Sequence, residues 1–429
     1  MRIRSSIETR ILSGVPERNV KYGILFNLVL FFTILNAVAD STIYYFIDVY
    51  GTGLHIGIIR GAILLLFIFI FGFKRILRNT LNYLIVIFLL YLFVLSLLSS
   101  NVSHSLFDGY LKWFVAMMMF PVGFYFFRDY NSIVRYNLFL VFGASIVCIN
   151  LLVAQFIGFG ISAYIEESFY TGGAGVGITN QLALILLTYP VLLRNLKKFN
   201  FYIRWFIVLV GILSFSFLIL AMKRAGIIGL IGGGLVFLLL TQSRTRIIRY
   251  IIAAAIVVLI SLPIYKEILI KRYEARVKIM EKSDKEARYL EIFYVIDEFK
   301  SGDIWQKLFG REAFNTGEFF GMKYFNRGRM IHGDFSALVY GTGLIGITMY
   351  FSIFFVLFRK GFLKFKKIGN NKLPRELLAV FFGLLFATFL ISATGSGTVG
   401  ERCIVYTYFG AVLGYLNNLY PDKISPLTL

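Results

Sequence analysis

Twelve apolar runs, a composition too hydrophobic for a soluble domain and a one-sided distribution of basic residues together predict an all-α polytopic membrane protein. Of the 429 residues 58% are hydrophobic, 17% aromatic and only 16% charged, and the mean hydropathy is +0.76. Soluble domains carry about 45–50% apolar and about 25% charged residues. A helix needs about 20 apolar residues to cross a bilayer, and runs of roughly that length recur from one end of the chain to the other. They extend from Tyr22 to Ala39, Ile56 to Phe73, Leu81 to Leu98, Tyr110 to Phe127, Tyr136 to Phe159, Ile178 to Leu193, Trp205 to Met222, Ala225 to Leu240, Tyr250 to Ile264, Phe335 to Phe358, Leu377 to Ile391 and Cys403 to Leu419. Each predicts a helix, because lipid offers the backbone no hydrogen-bond partner and a helix satisfies its own groups.

The formal net charge of +21, from 44 Lys and Arg against 23 Asp and Glu, would suggest a polyanion partner in a soluble protein. Its distribution says otherwise. With the N-terminus inside, 25 of the 44 basic residues fall in the termini and connections on the cytoplasmic side, with only Glu8, Glu17, Asp129, Glu376 and Asp422 opposing them. The short outward turns hold Arg60, Lys112, Lys223, Arg224 and Arg402. This satisfies the positive-inside rule with both termini cytoplasmic, so the excess is a topology signal and implies no nucleic acid. No small-residue cleavage site follows the first apolar run, which predicts that this helix is retained. Cys148 and Cys403 lie in or beside apolar stretches, so no disulfide framework and no cysteine-based zinc site is expected.

One connection is long. Residues 265–334 carry 14 basic and 12 acidic residues and face outward in this topology, which divides the chain into helices 1–9 (1–264), an extracytoplasmic helical loop (265–334) and helices 10–12 (335–429). Within the loop, Ser283 and Glu286 have capping-box spacing and Ser301-Gly302-Asp303 supplies a stop, predicting a helix from Asp284 to Lys300. Arg288 shares a stripe with Ile292, Val295 and Phe299, expected to face inward. A guanidinium on an apolar face needs an anion, supplied by a loop carboxylate or by a ligand.

Other outward residues can carry chemistry. Lys223-Arg224 stands directly before the eighth predicted helix, where free N–H groups and the positive end of the helix dipole favour an anion; the alternative is snorkelling to the headgroups. Arg402 repeats the arrangement after the Gly-rich stretch Thr394 to Glu401, and Arg60 is an intramembrane charge, by default a functional candidate. His55, His104 and His332 all fall outward. His332 is best placed, in Arg329-Met330-Ile331-His332-Gly333-Asp334 at the mouth of the tenth helix, with Asp334 near enough to orient it. No Walker, dinucleotide-binding, paired-histidine or nucleophile-elbow motif is present. Glu166-Glu167 lacks a second acidic pair, so no metal is expected, and Thr171 to Gly177 reads as a flexible entry loop.

The stretch Ile331 to Leu338, continuing through Gly341-Thr342-Gly343-Leu344-Ile345-Gly346, resembles the His-containing segment and following Gly-rich helix of bacterial O-antigen polymerases and O-antigen ligases. Met222-Lys223-Arg224-Ala225-Gly226 is similar to that superfamily's Ser-Arg-Gly turn, with Lys223 in place of Ser. Arg288 ahead of Trp305 and Leu308-Phe309-Gly310 resembles its loop arginine, and Gly177-Ile178-Thr179-Asn180-Gln181 its Gly-x-x-Asn helix entry. The likeness covers about Gly172 to Gly346; Gly333 departs from the Asn that usually follows the His. The resemblance implies a metal-independent, cofactor-free, inverting glycosyltransferase of the C-type membrane class in the bacterial inner membrane, acting at its outer face on undecaprenyl-diphosphate-linked oligosaccharide. It implies His332 as the base and Arg224 and Arg288 as diphosphate ligands; Arg60, Arg402, Asn180, Lys223, Asp334 and Arg329 are further candidate substrate contacts. Membrane lipids and a chain-length-regulating membrane protein are the implied partners. A polymerase, which extends a carrier-linked glycan, and a ligase, which transfers the glycan to lipid A core, use the same residues; the Gly333-Asp334 variation favours polymerase. A transporter or flippase of the same lipid is the rival from another class, disfavoured because no matching half-repeat accompanies the long loop.

Overall fold

The computed structural model describes residues 23–50, 61–63, 79–160, 170–174, 177–221, 223–242, 287–326, 328–369 and 371–421, with isolated positions between 245 and 274. Among these the chain is helical and contains no strand beyond a single bridge between Gly160 and Gly172. The principal helices are α1 (Ile24–Tyr50), α2 (Thr80–Leu97), α3 (Leu111–Phe126), α4 (Tyr130–Ile157), α5 (Ile178–Asn195), α6 (Phe201–Leu220), α7 (Arg224–Thr241), α8 (Ala287–Ser301), α9 (Ile304–Phe309), α10 (Asp334–Ile368), α11 (Lys372–Thr394) and α12 (Val399–Leu419). Helices stand at ten of the twelve expected positions; Tyr250 to Ile264 lies outside the described residues, as does most of Ile56 to Phe73, including Arg60. Seven of them, α1, α2, α4, α6, α7, α10 and α11, are long and apolar enough to cross a membrane, so the chain is a multi-pass membrane protein in character.

Large apolar side chains cover the outside of the bundle. Trp205, Leu209 and Ile212 of α6 and Ile87, Leu90 and Val94 of α2 are exposed at helical spacing, the pattern of a lipid-facing surface. Lipid removes the hydrophobic drive between helices, so close van der Waals packing at small residues carries their association. The α3–α12 crossing shows it: a methyl group at Gly123 would collide with the Thr407 carbonyl, one at Gly410 with the Phe120 carbonyl and one at Gly414 with the Phe124 carbonyl. α12 is consequently buried almost along its whole length, from Gly400 to Leu416.

α10 departs from the single span expected from Phe335 to Phe358. Gly343 adopts φ 63°, ψ −163°, which breaks the helix into a short segment before it and the long apolar segment after it. The carbonyls freed by the break are satisfied from elsewhere: Tyr340 O accepts from Arg311 N–H at 2.8 Å and Thr342 O from the Tyr91 hydroxyl at 2.7 Å. The end of α9 fits into the notch, since a Cβ on Gly343 would meet Leu308 and Gly310 backbone atoms at 2.5 Å. The two Gly-containing motifs of the sequence therefore touch.

The loop subdomain also differs in register. α8 begins at Ala287, and Ser283 and Glu286 lie outside the described residues. Its inward stripe is Glu291, Val295 and Glu298, all buried, whereas Ile292 is 44% exposed. The carboxylates turn inward because cations and N–H groups await them: Glu298 pairs with Arg311 and Lys323.

Gly410→Val is expected to overpack the α3–α12 crossing and destabilise the protein by about 1–3 kcal/mol. Thermal unfolding in detergent measures it; a variant as stable as the parent would contradict this account of the crossing.

Candidate functional site

The ends of α5, α7, α10 and α12 that carry the candidate residues are linked by contacts at one end of the bundle. The opposite end carries Arg194, paired with Glu376, Lys360 on Asn79 and Lys364 on the Tyr420 carbonyl.

His332 is half exposed, with 46% of its side chain accessible, and its position is set by Glu291 of α8. One Glu291 oxygen accepts from the backbone N–H of His332 at 2.6 Å and of Gly333 at 3.2 Å. The other faces His332 Nδ1 at 3.4 Å and the Arg329 guanidinium at 3.5 Å. A carboxylate at Nδ1 favours the tautomer protonated there and leaves Nε2 with its lone pair. Burial by itself would raise the Glu291 carboxyl; hydrogen bonds from the His332 side chain and backbone, the charge of His332 and the Gly333 N–H outweigh it and hold the group below the ordinary carboxylate value. Arg329 also lies over the Phe325 ring at 4.7 Å, so its charge is engaged inside the subdomain.

Asp334, expected to orient His332, faces the other way. Its carboxylate pairs with the Arg402 guanidinium at 2.7 Å and accepts from Ser392 Oγ at 3.1 Å. The reason is local: Asp334 opens α10, and its backbone N–H binds the Gly395 carbonyl at 3.2 Å, which aims the residue at the start of α12. Arg402 in turn lies 4.0 Å above the Trp113 ring. The anion that Arg402 meets is therefore internal, and the pair fixes the α10 entry against α12. Removing one partner of such a buried pair strands the other and costs about 3–5 kcal/mol. A cavity beside it is lined by Leu184, Tyr350, Thr388, Glu401, Val405 and Tyr406.

Lys223 stands immediately before α7 and Arg224 is its first residue, as expected, with Arg224 exposed. Asn180, in the first turn of α5, reaches this turn: its Oδ1 lies 2.9 Å from where a Cβ on Gly226 would sit. Lys223 Nζ and Glu401 Oε1 lie 3.5 and 3.8 Å from the corresponding point on Gly177. Lys223 and Glu401 thus both flank Gly177, and Glu401 neighbours Arg402, whose guanidinium holds Asp334, two residues from His332. Arg288 is in the first turn of α8, one helical turn before Glu291; its side chain is outside the described residues. Among the described residues no cluster of three or more metal-ligating side chains occurs.

Three participants were not singled out in the sequence. Glu291 follows Arg288 by three positions and so shares its face, a signal the helix period contained. Glu401 and Asp40 are carboxylates at the edges of predicted spans, within α12 and α1 of the structure, and carboxylates inside spanning helices are candidates by default.

Because Glu291 is held below the usual 4.5, protonating it weakens the fold. Its contribution is fully present above about pH 4.5 and is lost as pH falls through the lower folded value. Hydrogen-exchange protection of α8 should be flat from pH 7 to 5 and fall below that, whereas Glu291→Gln should lower it already at pH 7. Equal protection in the two proteins would contradict the role given to Glu291.

No family model matches the chain, and no curated protein matches it.

Proposed function

We propose that the chain is a surface-polysaccharide polymerase of the O-antigen type, a twelve-span, metal-independent inverting glycosyltransferase whose site faces the outer side of the bacterial inner membrane. The observation that carries this reading is His332, accessible to substrate and held through Nδ1 by a buried carboxylate, at the same end of the bundle as the basic Lys223-Arg224 turn at a helix N-terminus. A base next to an anion site suits transfer of a glycan from a lipid diphosphate.

In this mechanism the acceptor hydroxyl attacks the anomeric carbon from the face opposite the diphosphate. His332 Nε2 takes the hydroxyl proton, the new glycosidic bond forms, and the bond from the anomeric carbon to the phosphate oxygen breaks with its electron pair going to undecaprenyl diphosphate. Negative charge grows on that leaving group, so Arg224 and Arg288 bind it more strongly in the transition state than in the ground state. The imidazolium formed on His332 is stabilised by Glu291, which faces its Nδ1. The α8 subdomain, clamped to the α10 entry, would cover the sugars.

His332→Ala is expected to reduce polymer formation from purified carrier-linked repeat units by at least about 100-fold, the range of a positioned general base, while carrier binding persists. Full-length chains made by this variant would overturn the mechanism.

A further inference from the structure

We infer that Thr179, Asn180, Gln181 and Glu401 form a subsite for the hydroxyl groups of an uncharged sugar, distinct from the residues assigned to the diphosphate. The inference rests on the reading above and names what this part of the site recognises.

The four side chains are 1%, 0%, 1% and 2% exposed. Among the described residues, Thr179 Oγ1, both amide atoms of Asn180, Gln181 Oε1 and both carboxyl oxygens of Glu401 have no hydrogen-bond partner. Buried polar groups are nearly always satisfied, and so many open valences in adjoining helix ends call for a ligand. Glycines line the cluster and let its polar groups approach closely. Gly177 stands beside Glu401 Oε1, Gly226 beside Asn180 Oδ1, and Gln181 Nε2 lies 3.7 Å from the point a Cβ on Gly400 would occupy, where the Asp40 carboxylate also stands. Glu401 Oε2 lies 3.3 Å from that point on Gly397.

The set of groups selects the class of ligand. A metal cation would find oxygens, but it would also meet Lys223, which acts electrostatically on Glu401 together with Arg402, and it would leave the Asn180 amide N–H groups unmet. An anion would satisfy those N–H groups but face the Glu401 and Asp40 carboxyls. A sugar hydroxyl both donates and accepts, so a neutral polyhydroxylated ring can serve the amide donors, the amide carbonyls and the carboxyl together. Between the Lys223-Arg224 turn and the Arg402–Asp334 pair, the ring held here would be the sugar adjoining the diphosphate.

The test compares two probes on the purified protein in detergent: the host's undecaprenyl-diphosphate-linked repeat unit, and undecaprenyl diphosphate without sugar. Asn180→Ala and Glu401→Gln are expected to weaken binding of the sugar-bearing carrier by about tenfold or more, which corresponds to about 1.4 kcal/mol, and to leave the sugar-free carrier within about twofold. Thr179→Val, a near-isosteric change, gives a second arm if either variant fails to fold. Unchanged binding of both probes would overturn the subsite, leaving a water-filled cluster, and equal weakening of both would overturn it by assigning the cluster to the diphosphate or the fold. If the parent protein binds neither carrier, the proposed function itself falls and takes this inference with it.

Discussion

Two carboxylate contacts on either side of three consecutive residues hold the candidate centre in place. Glu291 takes the backbone N–H groups of His332 and Gly333, and Arg402 takes the Asp334 side chain. The first contact ties that segment to α8 of the loop subdomain, the second to α12 in the middle of the bundle. Without Glu291 the imidazole would turn on an untethered segment; without Arg402 the start of α10 would hold a buried carboxylate with no opposing charge. A glycine between them is compatible with both contacts, because Gly333 adds no side chain where the segment changes direction.

The bundle beneath supplies a rigid base for this arrangement. α12 brings Glu401 and Arg402 to the site and is fixed against α3 by glycine contacts so close that each backbone touches the other. α7 is seated on α11 in the same manner, with Gly233 and Gly383 each within 2.7 Å of the other's carbonyl oxygen when a Cβ is placed on it. That seating sets the height at which Lys223 and Arg224 emerge. The break at Gly343 separates the first part of α10, which belongs with the site, from the long apolar part that follows.

The helices were legible because apolar length is a direct demand of the bilayer. The break in α10 was not: the apolar pattern runs through Gly341 to Gly346, and only the approach of Leu308 and Gly310 reveals why glycine stands at 343. The inward stripe of α8 was misjudged at Ile292 because periodicity assigns apolar residues to the interior, whereas here Glu291 and Glu298 find fixed donors there. Asp334 was linked to His332 by closeness in sequence, but helix geometry sends its side chain to Arg402. Lys223 and Arg224 stand at the start of a helix, as the apolar run beginning at Ala225 predicts. Glu401 was not legible because a single carboxylate at the end of a Gly-rich stretch carries no motif, and its meaning comes from Lys223, Asp40 and Gln181, which are remote in sequence.

The central claim is that the basic turn before α7 and the Glu291-held imidazole serve one lipid-diphosphate substrate. An experimental density map of the protein with its undecaprenyl-diphosphate-linked repeat unit bound tests this most directly. The account predicts the diphosphate within hydrogen-bonding reach of Arg224 and the first sugars between it and His332. A diphosphate bound at the opposite end of the bundle, among Arg194, Lys360 and Lys364, would contradict it.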